Sequence, residues 1–294
     1  MRSNLFSILF IILVFPGKVW AQQTIKGIFQ HKGLEREYLY YAPENLPENA
    51  PLLVVLHGFT GSAEQIMNYT QMNNIARANN FAVVYPQGTR DNSNKTFWNV
   101  GYDFHKNSKV DDVDFIVQLV HLLQQKYQLS VKNTFVTGMS NGGDMSYLLA
   151  CRHPGVFAAI APVVGTMMQS YFKTAMPKNP VSVLAINGTS DSITSYNGDM
   201  ENKEGWGAYQ SVPFIINFWA EAIEYTSVKT DTLPDYNAAD SSYVISTNYL
   251  NPQKQLEVLF YKVVNGGHDW PGASGNRDIN ASKEIGRFFK KYIH

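Results

Sequence analysis

Ser140, Asp191 and His268 are the residues whose types and surroundings suit one piece of chemistry. Ser140 stands in Gly138-Met139-Ser140-Asn141-Gly142, between the β-branched and aromatic run Asn133–Thr137 and the apolar segment Asp144–Ala150. A Gly-x-Ser-x-Gly that joins a strand to a helix is a nucleophile elbow, a turn so tight that the flanking residues must be small. It lifts the serine hydroxyl above the sheet edge, at the N-terminus of the following helix. Such a hydroxyl needs a base to take its proton, a third group to orient that base, and donors for the oxyanion. Asp191 follows the run Val181–Ile186, and His268 follows Leu256–Val264. All three therefore lie just past the C-terminal end of a predicted buried strand, where parallel sheets carry their sites.

Each residue also has a plainer reading, as a Ser-Gly loop, a turn former and a loop histidine. Their joint occurrence, in the order Ser, Asp, His and each at a strand end, favours a catalytic triad. Of the seven histidines, only His57 and His268 sit directly after a buried strand, and His57 precedes the serine. His57 reads better as a structural residue shaping the Gly58-Phe59 turn, whose Phe59 backbone N–H is an expected oxyanion donor beside that of Asn141. Among the acids between Ser140 and His268, Asp199, Glu201 and Glu204 fall in a polar Gly-containing loop, Glu221 and Glu224 in a helix, and Asp231, Asp235 and Asp240 in a polar connection. Only Asp191 comes a few residues after a buried parallel strand. Trp98 and Trp270 lie in loops on the same side and are expected to stack on a phenolic group or a sugar ring. Asp111, Asp112 and Asp114 read as a helix start, where carboxylates suit the positive end of the dipole, rather than as a metal site.

The elements that must position these residues follow from patterning. Gln22–Gln30 and Glu37–Tyr41 alternate as an edge hairpin, and Leu52–Leu56 and Phe81–Tyr85 are continuous apolar runs typical of buried parallel strands. Ser62, with Gln65 three residues on, caps a helix expected to run to about Asn79. A loop rich in Asn and aromatics spans Thr89–Val110, and a helix opens at Asp111. Phe157–Val164 is a further strand, Pro213–Tyr225 a helix, Tyr243–Tyr249 a strand and Asn280–Tyr292 the terminal helix. Alternating strands and helices predict an α/β fold with a mostly parallel central sheet covered by helices on both faces. No repeat or linker divides residues 22–294, which read as one domain.

The chain has 294 residues, 45% hydrophobic, enough for one large core. Arg2, the apolar run Leu5–Phe15 and Val19-Trp20-Ala21 form a signal peptide over residues 1–21, its apolar run too short to span a membrane. Cleavage leaves Gln22 first, with no cysteine nearby for a lipid anchor, so a soluble, secreted or periplasmic protein is expected. Formal net charge is zero, and no Lys/Arg cluster stands out, which argues against nucleic acid or anionic membrane as partner. Cys151, the only cysteine, sits in an apolar helix and reads as a buried, inert thiol.

Several stretches occur together and in order. They are His57-Gly58-Phe59, Val84-Tyr85-Pro86-Gln87-Gly88, Phe97-Trp98-Asn99, Val110-Asp111-Asp112-Val113-Asp114-Phe115-Ile116, Gly138–Gly143, Asn187–Asp191 and Gly267–Gly272. With them the chain resembles the polyhydroxybutyrate depolymerase-like branch of the α/β hydrolases, which also holds feruloyl and acetyl-xylan esterases. The resemblance covers nearly all of residues 22–294. It implies the α/β-hydrolase fold and a serine esterase with Ser140, Asp191 and His268 as triad and without metal or organic cofactor. Disulfides near the site, frequent in that branch, are impossible with one cysteine. The expected substrates are feruloyl or acetyl esters of plant-wall polysaccharide, small or oligosaccharide esters rather than solid polymer. Short 3-hydroxybutyrate oligomers, or an inactive binding protein on the same fold, are the alternatives.

Overall fold

Residues that alternate between two apolar faces build the central sheet, because a buried strand sends successive side chains to opposite sides. The computed structural model describes residues 24–174 and 179–294. The predicted signal peptide lies outside the described residues.

In chain order the strands are β1 Ile25–His31, β2 Leu34–Tyr41, β3 Leu52–Leu56, β4 Ala82–Pro86, β5 Thr89–Arg90, β6 Thr96–Phe97, β7 Thr134–Met139 and β8 Ala159–Val163. They continue with β9 Ser182–Gly188, β10 Ser227–Thr232, β11 Tyr243–Asn251 and β12 Leu256–Val264. The helices are α1 Ala63–Thr70, α2 Met72–Asn79, α3 Asp112–Tyr127, α4 Asn141–Arg152, α5 Gln169–Thr174, α6 Val212–Ala222 and α7 Ala281–Lys290. Ten strands form one sheet in the order β1-β2-β4-β3-β7-β8-β9-β12-β11-β10, and β5 pairs with β6 in a small separate ribbon.

The run β4-β3-β7-β8-β9-β12 is parallel throughout. The antiparallel hairpin β1–β2 closes one edge, and the antiparallel strands β11 and β10 close the other. On one face Val54, Val136, Ile160 and Val183 pack with Phe115, Leu119, Leu149 and Trp219 from α3, α4 and α6. On the other, Val55, Phe135, Ala159 and Leu184 pack with Ile66, Met72, Ile285 and Phe289 from α1, α2 and α7. Two cores on one sheet, with parallel central strands, are the expected α/β architecture.

Two expectations are corrected. The single helix from Ser62 to Asn79 is two helices, because Gln71 adopts φ 54° and ends α1 before starting α2. Segment β10 was not anticipated: all six of its residues are exposed, so no buried face leaves an alternating pattern to read. The acidic run at the start of α3 does cap the helix, with Asp111 accepting from the Asp114 N–H. Asp112 goes further, forming a 2.6 Å ion pair with Arg36 of β2 that is almost fully buried. Its other oxygen accepts the Asn99 N–H at 2.7 Å. Removing one partner of such a pair leaves an uncompensated charge and costs about 3–5 kcal/mol. The pair fastens the edge hairpin and the Trp98 loop to the same helix end.

Candidate active site

Ser140 joins β7 to α4 with φ 56° and ψ −121°, a conformation L-residues avoid. Its N–H donates to Val163 O at 2.9 Å, which holds the turn against β8. Tightness comes from what the flanking residues lack. A Cβ on Gly142 would sit 2.4 Å from Leu56 O and 2.7 Å from His57 O, so only glycine lets α4 start this close to the end of β3. Gly58 lies beside the nucleophile, with a Cβ position 3.5 Å from that of Ser140. The Gly58–Phe59 peptide therefore borders Ser140, and Asn141, as the first residue of α4, has a backbone N–H with no helical partner.

His268 and Asp191 meet across 77 residues of chain. The His268 Nδ1–H donates to Asp191 Oδ2 at 2.8 Å. The other carboxylate oxygen accepts the N–H groups of Ile193 and Thr194, each at 2.8 Å, so the acid is oriented from both sides. Its side chain is 2% exposed, that of His268 17%. The two loops that carry them touch closely: a Cβ on Gly188 would meet Gly266 O at 2.3 Å. Asp199 and Asp240, two of the other acids in that interval, are held within their own loops, Asp199 by the Lys203 and Glu204 N–H groups and Asp240 by the Ser242 N–H and hydroxyl. An imidazole oriented by a carboxylate on Nδ1, with Nε2 left for a proton, is the arrangement of a general base.

His57 is engaged on both ring nitrogens. Nδ1–H donates to Gly58 O at 2.7 Å, and Nε2 accepts the Gly88 N–H at 2.9 Å. Burial pushes its pKa down to about 4 despite the Gly58 hydrogen bond. It is a neutral strut between the Gly58 turn and the Gly88 loop, as its place before the serine suggests.

Trp98 and Trp270 are corrected: at 0% and 1% exposure, neither ring offers a face to substrate. Each indole N–H is satisfied inside, Trp98 by His57 O at 2.8 Å and Trp270 by Ser282 Oγ at 2.9 Å. Trp98 instead braces the turn. Its N–H donates to Asn141 Oδ1 and its carbonyl accepts from Asn141 Nδ2, so one residue fixes both Asn141 and the end of β3. Trp270 anchors the loop just past His268.

The cleft at Ser140 is lined by residues that sequence reasoning passed over. Tyr102, Asp144, Thr166, Met168, Ile193, Thr194, Trp206 and Tyr209 surround a volume of only ≈ 20 Å³. Trp206 crosses Tyr102 edge-on at 5.1 Å and Phe59 at 5.5 Å, and Phe104, 49% exposed, completes an aromatic mouth. Trp206 is held there because its carbonyl accepts the Asp103 N–H while Asn202 bonds the Asp103 carboxylate. A tryptophan between Gly205 and Gly207, in a polar loop without strand or helix pattern, was the available signal. Among the described residues no group of three or more His, Cys, Asp or Glu is gathered to hold a metal ion, and no helix is long and apolar enough to cross a membrane. Cys151 is buried in α4, and burial pushes its thiol up to about 12.

Comparison with known proteins adds the family and the fold. The family model for esterase PHB depolymerases matches residues 36–203. The chain is 26% identical over 174 residues to a bifunctional acetylxylan esterase/xylanase of Neocallimastix patriciarum, covering 59% of this chain and 24% of that protein. It thus spans about a quarter of that relative's length. Poly(3-hydroxyalkanoate) depolymerase C of Paucimonas lemoignei is 26% identical over 326 aligned residues, covering 98% of this chain and 74% of the relative. The putative esterase NocK of Nocardia uniformis subsp. tsuyamanensis is 27% identical, with 82% and 72% covered. Among solved structures, an acetyl xylan esterase from Aspergillus awamori superposes with a TM-score of 0.64 at 17% identity, covering 92% of this chain and 100% of that one. That likeness is one of fold: a mostly parallel α/β-hydrolase sheet.

Proposed function

The chain belongs to the esterase PHB depolymerase family, and from that premise we propose that it is an exported carboxylic-ester hydrolase working through Ser140, His268 and Asp191. The observation that carries this reading is the 2.8 Å Asp191–His268 hydrogen bond on the loops beside the Ser140 elbow. Ser140 Oγ attacks the ester carbonyl carbon while His268 Nε2 takes its proton. The Asn141 and Phe59 N–H groups hold the oxyanion. As the tetrahedral intermediate collapses, His268 gives the proton to the leaving alcohol oxygen, and Ser140 carries the acyl group. Water, deprotonated by His268, then attacks the acyl carbon, and the imidazolium returns that proton to Ser140 Oγ as the bond to the serine breaks and the acid leaves. Asp191 fixes the imidazole tautomer and steadies the imidazolium. An intact set of these groups speaks against an inactive binding protein.

For substrates we favour acetyl or feruloyl esters of plant-wall saccharide, supported by the named activity of the Neocallimastix relative. Short hydroxyalkanoate oligomers are the second reading, favoured by the Paucimonas depolymerase, which aligns with 98% of the chain. Neither reading invokes a cofactor, nucleic acid or membrane anchor. A panel of acetylated xylan, methyl ferulate and 3-hydroxybutyrate oligomers tests the choice, with Ser140→Ala as blank. Inertness of the folded protein toward all three and toward 4-nitrophenyl acetate would refute the esterase reading. N-terminal sequencing of exported protein should begin at Gln22.

A further inference from the structure

Asp144 lies one turn beyond Ser140 on α4, buried to 2% exposure, and the triad chemistry makes no use of it. Its carboxyl oxygens are divided between two walls of the Ser140 cleft. Oδ2 accepts the Tyr102 hydroxyl at 2.7 Å, and Oδ1 accepts the Thr166 N–H at 2.6 Å. Tyr102 comes from the loop before α3 and Thr166 from the segment after β8, so one side chain ties together two stretches distant in sequence. Tyr102 in turn holds Trp206 edge-on. The space these groups leave, ≈ 20 Å³, admits on the order of one or two water-sized groups.

We infer that Asp144 is a positioning residue that clamps Tyr102 and Thr166 and thereby restricts the Ser140 cleft to short acyl groups. This rests on the esterase reading above, in which the alcohol half is a saccharide too large to enter and only the acyl half can. An acetyl methyl fits the space, whereas a feruloyl ring has to remain at the Trp206 and Phe104 mouth. The clamp is geometric, so it survives loss of charge when shape is kept. Asn at this position can accept the Thr166 N–H through its oxygen and donate to the Tyr102 oxygen through its amide. Burial pushes the Asp144 pKa up to about 7, against the Thr166 and Tyr102 hydrogen bonds and the charge of His268. Tyr147, Tyr171 and Tyr209 are the other titratable groups around it.

The test compares kcat/KM for 4-nitrophenyl acetate and hexanoate in the wild type, Asp144→Asn, Asp144→Ala and Tyr102→Phe, at pH 6 and pH 8. The wild type should prefer acetate by at least about tenfold. Asp144→Ala should lower that ratio about tenfold, mainly by raising the hexanoate rate, Tyr102→Phe should lower it severalfold, and Asp144→Asn should keep it within about twofold at both pH values. Should Asp144→Ala fail to fold, Tyr102→Phe carries the result, since it removes one hydroxyl and keeps the ring. An active wild type with no acetate preference, or an acetate-to-hexanoate ratio unchanged in both Asp144→Ala and Tyr102→Phe, overturns this inference and leaves the esterase reading intact. A folded wild type inert toward both esters overturns the esterase reading itself and the inference with it.

Discussion

His57 and His268 occupy matching places, each just past the C-terminal end of a parallel strand and each followed closely by an aromatic residue. Their surroundings differ at both ring nitrogens. His57 gives Nδ1 to a backbone carbonyl and Nε2 to a backbone amide, and it is 1% exposed. His268 gives Nδ1 to a carboxylate, and its side chain keeps 17% exposure. A histidine with both nitrogens spent on backbone groups is a strut. One with a carboxylate behind it and an accessible nitrogen ahead can cycle a proton. In the proposed mechanism the same residue type at equivalent strand ends is thus divided into support and chemistry by its hydrogen-bond partners.

The sharpest way to break this contrast is to exchange losses. His268→Ala and Ser140→Ala should each lower kcat on the order of 10⁴-fold or more while thermal melting stays near wild type. His57→Ala should instead lose stability, and any activity loss should track unfolding. Equal activity loss in folded His57→Ala and His268→Ala would erase the distinction. Next in size, Asp191→Asn should cost about 10³- to 10⁴-fold in kcat with little change in KM, because it disturbs the tautomer but leaves the nucleophile. Near-normal turnover in that variant, with collapse in Asp199→Asn or Asp240→Asn, would move the acid to another loop.

The pH dependence separates the two histidines by stability rather than rate. The folded-state pKa of His57 is depressed, from 6.5 to about 4. Its contribution is therefore complete above the unfolded value and is lost as pH falls from about 6.5 toward 4, on the order of 3 kcal/mol in all. Urea titrations at pH 7.5, 5.5 and 4.5 should show the decline, and a curve flat across that range would contradict a buried neutral His57. A general base works only in its neutral form, so circular dichroism must accompany the rate profile to keep loss of folding apart from loss of activity. The smallest expected effect concerns the tryptophans. Trp206→Ala should raise KM for an aryl or sugar ester several-fold, by loss of a stacking surface, and leave melting nearly unchanged. Trp98→Ala should do the reverse, costing about 3–5 kcal/mol of stability. A larger KM change from Trp98 would restore it as a substrate contact.

What was legible in the sequence follows a physical divide. Continuous apolar runs as short as Leu52–Leu56, bounded by turn residues, read as strands buried on both faces, and a tight turn of Gly, Ser and Gly at such a strand end has few other uses. Those local requirements specified the parallel sheet, the elbow at Ser140, and the loops bearing Asp191 and His268. The break at Gln71 escaped because an L-residue at φ 54° leaves no mark in residue type. The edge strand β10 escaped because it buries nothing. Trp98 and Trp270 were misplaced for a different reason: an aromatic in a loop has the same letter whether it faces solvent or fills the interior. Only the fold sets that, by bringing His57 O to one indole and Ser282 Oγ to the other. The same holds for Asp144, whose partners Tyr102 and Thr166 lie 42 and 22 residues away. By itself the sequence determined which residues are candidates for the chemistry and at which strand ends they emerge, because backbone periodicity is a local property. Tertiary structure alone decided which aromatics are buried and which line the cleft, and how narrow the cleft beside Ser140 is, because side-chain burial depends on what the rest of the chain packs around it.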